Sequence, residues 1–134
     1  MTPRQQTVNL DLVNRVREKI YKEYIRLIER PVDEPDITIT VALTDDEIER
    51  LILMALKEAK QPLSWREIKR IFVGIAGEDR LRRILNKLKA NNIIAELTRT
   101  RYALPEYVPA NEIHKVKNPG ILAKIMKMKQ NITQ

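Results

Sequence analysis

Apolar positions change period twice between Leu63 and Leu104, and the rest of the chain is laid out around that stretch. Trp65, Ile68 and Phe72 recur at helical spacing, and Leu81, Ile84, Leu85 and Leu88 do so again. Ile93, Ile94, Leu97, Tyr102 and Leu104 then flank Thr98-Arg99-Thr100, as the arms of a β-hairpin flank its turn. Ser64 followed by Glu67 is a capping box, with Leu63 and Ile68 as the hydrophobic pair around it. The pattern predicts a helix from Ser64 to about Gly74, a connection through Gly77 and a second helix from Glu78 to Asn91. Asn91 and Asn92 stop that helix, since asparagine tolerates the left-handed backbone a helix end often needs. The hairpin occupies 93–104.

Upstream, Val13, Val16, Ile20, Tyr24 and Leu27 recur at steps of three and four, with Ile28 beside them. They predict an amphipathic helix from about Val8 to Arg30, ended by Pro31. Its stripe suits either packing on its own domain or pairing with the same helix of a second copy. The dimer is the preferred reading, with Val13, Val16, Ile20, Tyr24 and Leu27 as the seam. Pro31 to Asp36 is a linker with two prolines. Ile37, Ile39 and Val41 alternate with threonines, as in a short strand that must pair with something. Thr44 and Glu47 form a second capping box and open a helix to about Lys60, with Ile48, Leu51, Ile52, Ala55, Leu56 and Ala59 inward. After Leu104, Pro105 and Pro109 predict an extended tail. Asn118-Pro119 then starts a last helix, with Ile121, Leu122, Ile125 and Met126 on one face and lysines outside it. The expected division is 1–36, a helix and linker; 37–104, the main domain; and 105–134, a tail and basic helix.

Charge sharpens this picture. The net charge of +7 is unevenly spread. Residues 1–30 carry +3, residues 31–63 carry −5, residues 64–104 carry +6 and residues 105–134 carry +3. A basic segment of this kind is the footprint of a phosphate-binding surface, set against the alternative of a merely solvated face.

Most chemistry is excluded. The absence of cysteine removes disulfides, thiolate metal sites and a cysteine nucleophile. The single histidine, His114, cannot anchor a metal cluster, so neither a metal nor a cofactor is expected. Gly74 and Gly77 do not make a phosphate loop, and the acidic run at Asp45, Asp46, Glu47 and Glu49 is explained by helix capping. No enzyme activity is expected. The longest apolar run near the second helix, Leu51 to Leu56, is far short of the ~20 residues a membrane span needs. The last helix lacks an aromatic anchor for a membrane surface. An intracellular, cytoplasmic protein without membrane partners is the expectation.

The order capped helix (44–60), capped helix (64–74), helix (78–91), hairpin (93–104) resembles the winged helix-turn-helix family. The run Arg80-Leu81-Arg82-Arg83-Ile84-Leu85-Asn86-Lys87-Leu88-Lys89-Ala90-Asn91-Asn92-Ile93-Ile94 is similar to that family's recognition helix and first wing strand. Asn92 stands where the family usually has glycine. The resemblance implies a mainly α fold with a small β-hairpin wing and helical extensions at both ends. It also implies a double-stranded DNA partner, with helix 78–91 in the major groove and the wing on a minor groove or the backbone. Carried over by position, Arg80, Arg82, Arg83, Asn86 and Lys87 face the groove. Thr98, Arg99, Thr100 and Arg101 form the wing, and Ser64, Arg66 and Arg70 meet backbone phosphate. Helical geometry adds detail. With the leucines and Ile84 inward, Asp79, Arg83, Asn86 and Ala90 point away, with Arg82 to one side and Arg80 and Lys87 to the other. Glu78 and Asp79 suit the helix dipole but bring negative charge to that end. Transcription regulation by a homodimer is the implied use. Docking onto a replication or transcription complex is the rival.

Overall fold

The computed structural model describes residues 8–29 and 42–132. The linker at 31–36 and the expected strand at Ile37, Ile39 and Val41 lie outside the described residues. The described chain is mainly helical with one small three-stranded antiparallel sheet. Its order is α1 (Leu10–Ile28), α2 (Asp45–Ala59), β1 (Leu63–Ser64), α3 (Trp65–Ile71), α4 (Glu78–Ala90), β2 (Ala95–Leu97), β3 (Arg101–Ala103) and α5 (Pro119–Ile132).

Local chemistry accounts for the helix ends. Both expected capping boxes form. Thr44 and Ser64 each accept from the backbone N–H three residues on, and Glu47 and Glu67 answer with their carboxylates. Asn9, whose role the periodicity leaves open, caps α1 by accepting from Leu12 N at 3.1 Å. Lys60 ends α2, and Asn92 follows α4, each at φ 56. Asn92 thus adopts the left-handed backbone expected of it.

The α1 stripe corrects the dimer-seam assignment for Val13, Val16 and Ile20. Leu12, Val13, Val16 and Ile20 are buried in one core with α2, α3 and α4, and Tyr24 and Leu27 pack against its edge. Val16 and Ile20 have no exposed surface left to offer a second copy. Polar contacts fix the helix in place. The buried Glu67 carboxylate accepts from Ser64 N at 2.8 Å through one oxygen and from Asn9 N at 3.0 Å through the other. Arg17 donates to the carbonyls of Arg70 (3.3 Å) and Ile71 (2.7 Å), which α3 leaves without helical partners.

The sheet runs β1-β3-β2, so the last strand in sequence is central. Leu63 pairs with Tyr102 and Ser64 with Arg101, while Ala95, Glu96 and Leu97 pair with Ala103, Tyr102 and Arg101. The first strand, β1, is an addition to the expected helix start. Ile93 stays partly exposed ahead of β2, so the hairpin is shorter than its apolar flanks suggest.

The expected extended tail is folded. Residues Pro105–Tyr107 and Ala110–Lys115 form 3₁₀ turns, with Pro105 and Val108 buried. Val108, Ile121 and Ile125 close a second apolar cluster over Ala95, Leu97 and Ala103. Asn118 locks this layer down. Its side chain accepts from Glu96 N (3.0 Å) and donates to the carbonyls of Ile94 (3.0 Å) and Lys89 (3.3 Å). Both helical extensions are therefore built into the core instead of trailing from it.

Candidate nucleic-acid interface

Four apolar residues of α4, Leu81, Ile84, Leu85 and Leu88, are buried, which turns its polar residues to the surface. Arg80 and Lys87 fall on the side helical geometry predicts, and that side is occupied; Arg83, expected to point directly away, leans to it as well. Arg80 donates to Asp45 Oδ1 at 2.8 Å and to the Leu43 carbonyl at 2.5 Å. Arg83 donates to Asp45 Oδ2 at 2.6 Å, and Lys87 to Glu49 at 3.2 Å. Hydrogen bonds from Arg83 and Arg80 hold the Asp45 carboxyl down at about 2, far under its ordinary value, and hold Arg83 correspondingly high. Lys89 holds Glu96 at 2.9 Å. Arg83 and Lys87 remain exposed, as the groove assignment requires, but each is ion-paired within the chain, and Arg80 is half-buried. The acidic start of α2 lies beside them, and opposite charge draws each long side chain to it.

Arg82 is different. Among the described residues it is the α4 cation with no carboxylate partner. Its guanidinium carbon lies 5.0 Å from the centroid of the Trp65 ring. Asn86, one turn further on, is exposed. Arg82, Asn86, Trp65, Thr100 and Tyr102 line one shallow recess of about 310 Å³. Here α4, the start of α3 and the hairpin turn meet. Burial, with Glu96 nearby, pushes the Tyr102 phenol above its ordinary range, and Arg82 pulls it back.

The turn has an unusual backbone. Arg99 and Thr100 both have positive φ, 64 and 52. A β-branched residue there costs on the order of 1–3 kcal/mol and persists only when its surroundings impose it. The constraints are visible: Trp65 N donates to the Thr100 carbonyl at 2.9 Å, and Thr98 N to the Lys115 carbonyl at 3.1 Å. Thr98, Arg99 and Thr100 are exposed. Arg101 is not at the tip. It donates to both Glu112 oxygens, at 2.9 and 3.2 Å, and to the Thr98 carbonyl at 3.1 Å. Burial pushes the Glu112 carboxyl up, but Arg101 and then Lys115 outweigh it, leaving the group below its usual range. The wing assignment of Arg101 is corrected to a brace between the hairpin and the tail.

Of the three α3 residues expected to meet phosphate, two are open to solvent. Arg66 and Arg70 are exposed, one turn apart. Ser64 is not available to phosphate: it is buried, and its hydroxyl is spent on Glu67 N at 3.2 Å. The periodicity groups Trp65 with the apolar Ile68 and Phe72, and its side chain does pack against the core, but sequence reasoning missed its contact with Arg82. The signal was present in composition, where a lone tryptophan opens a helix beside an arginine-rich one, but the pairing spans two elements. Among the described residues no grouping of histidine and carboxylates has the geometry of a metal site. No helix among them is long and apolar enough to cross a membrane.

Comparison of the chain with family models, curated proteins and solved structures finds no match.

Proposed function

We propose that this chain is a winged helix-turn-helix protein that binds double-stranded DNA, with α4 in the major groove and the turn 98–100 on the adjoining minor groove or backbone. The element order α2-β1-α3-α4-β2-β3 and the strand order β1-β3-β2 support the fold reading. The observation that carries the function is the recess shared by Arg82, Asn86 and Thr100. It sets the polar side of α4 and the hairpin turn on one face, as a duplex needs in order to touch both. Arg66 and Arg99 supply further exposed charge on the elements bordering that recess. Transcription regulation is the use such a reader fits best.

The test is a salt titration of binding to random duplex DNA, followed by fluorescence anisotropy. Affinity falls steeply with salt in the wild type, because each phosphate contact releases counterions. Arg66→Ala with Arg99→Ala weakens binding about tenfold at low salt and reduces the magnitude of the log–log slope by ~2. Binding that ignores salt overturns the reading. The ion pairs of Arg80, Arg83 and Lys87 with α2 favour a second reading, protein docking, because they mute the positive field of α4. A flat salt response is the outcome that reading requires.

A further inference from the structure

We infer that Trp65 is a positioning residue that holds Arg82 to read guanine, and that base discrimination by α4 rests on Arg82 and Asn86 alone. This deepens the DNA-binding reading and rests on it.

The starting point is the division of labour on α4. Arg80, Arg83, Lys87 and Lys89 each hold a carboxylate of this same chain. A guanidinium already committed to Asp45 has fewer donors to give a base edge. Arg82 instead lies over an indole. A planar cation stacked on a ring is held by its face, so the N–H donors along its edge stay unspent. That fork matches the O6 and N7 acceptors of guanine in the major groove. Stacking also restricts a long, flexible side chain before DNA arrives, so less freedom is lost on binding.

Trp65 is itself fixed. Its backbone N–H is bonded to Thr100, its side chain packs against the apolar core, and the Lys69 ammonium lies 5.6 Å from its ring centroid. The indole is thus a rigid platform tied to the hairpin turn, and through it the turn and the reading arginine keep a constant spacing. Asn86 projects from the next turn of α4, and its amide suits the N6 and N7 edge of adenine. The expected preferred site therefore holds a guanine and, within a step or two of it, an adenine.

Duplexes selected by the full chain from a randomised library give the site. Dissociation constants are then measured for that site and for a copy with the guanine replaced by adenine. The wild type separates the two by about tenfold or more. Arg82→Lys keeps the charge but loses the fork, and Trp65→Leu keeps an apolar side chain but loses the platform. Both bring the ratio to within about twofold, and circular dichroism shows each variant folded as the wild type. Trp65→Phe, which restores a flat ring, recovers most of the ratio, and a purely structural role for Trp65 does not produce that recovery. Should Trp65→Leu fail to fold, Arg82→Lys and Trp65→Phe carry the test. Full discrimination in Arg82→Lys, or in a folded Trp65→Leu, overturns the inference. So does salt-sensitive wild-type binding with no base preference, and in that case the DNA-binding reading stands. A wild type that binds no duplex removes both.

Discussion

Single residues on this surface do opposing jobs, and Asp45 shows it best. Its carboxylate opens α2, where negative charge suits the helix dipole, and also holds Arg80 and Arg83. Its pKa in the fold is about 2, below the ordinary 3.8. A depressed carboxylate pKa stabilises the fold above its unfolded value, so the contribution is complete above about pH 4 and is lost as pH falls toward 2. Thermal melts of the wild type and Asp45→Asn should therefore differ at pH 6 and converge near pH 2. The same substitution releases two arginines on the proposed DNA face. At neutral pH and low salt it should tighten binding to random duplex about threefold to tenfold, read by the same anisotropy titration. A residue that lowers thermal stability when replaced, yet raises DNA affinity, is acting as an internal stand-in for phosphate.

At the scale of elements, the joints matter more than the helices. Asn118 holds the start of α5 to both the end of α4 and the strand β2. Asn118→Ala leaves Glu96 N and the carbonyls of Ile94 and Lys89 without that partner, at a cost of about 2 kcal/mol. Hydrogen exchange should speed up in α5 and β2 while α1 and α3 keep their protection. The same contrast explains what the sequence made legible. Helix starts were readable because a capping box is a four-residue signal, and Thr44–Glu47 and Ser64–Glu67 form as written. Asn92 was readable because few residues accept a left-handed backbone. The two-residue strand β1 has no period to detect, and its partner Tyr102 lies far along the chain. The 3₁₀ turns after Leu104 were missed because their order depends on distant partners, Glu112 on Arg101 and Val116 on Leu97. In the candidate site, helical geometry placed Arg80 and Lys87 on one side of α4 and Arg82 on the other, but had Arg83 point directly away, where it leans to Asp45 beside Arg80. It could not show that Asp45 and Glu49 wait on one of those sides and Trp65 on the other, because those contacts depend on how helices distant in sequence pack.

For the whole molecule, the decisive fact is that the N-terminal helix belongs inside. An amphipathic stripe reads the same whether its apolar side meets its own domain or a second copy. The arrangement of α1 resolves this for Val13, Val16 and Ile20, which fill the space between α2 and α3. Glu67 and Arg17 explain why the helix stays there. They join the start of α1 to the start of α3, and the middle of α1 to the end of α3. A dimer must then use something other than the buried Val13, Val16 and Ile20 side chains, which belong to the core that carries α3, α4 and the hairpin. Ile20→Ala separates the possibilities. Removing a fully buried isoleucine from a monomer core costs about 3 kcal/mol, and the loss is the same at every protein concentration. Had Ile20 lain in a seam between copies, the melting temperature would rise with concentration in the wild type and the variant would blunt that rise. Melts over a hundredfold range of concentration, with sedimentation at each end, should show a constant offset between the two proteins. An offset that grows with concentration would return α1 to the interface, and with it the paired recognition helices that a two-fold DNA site demands.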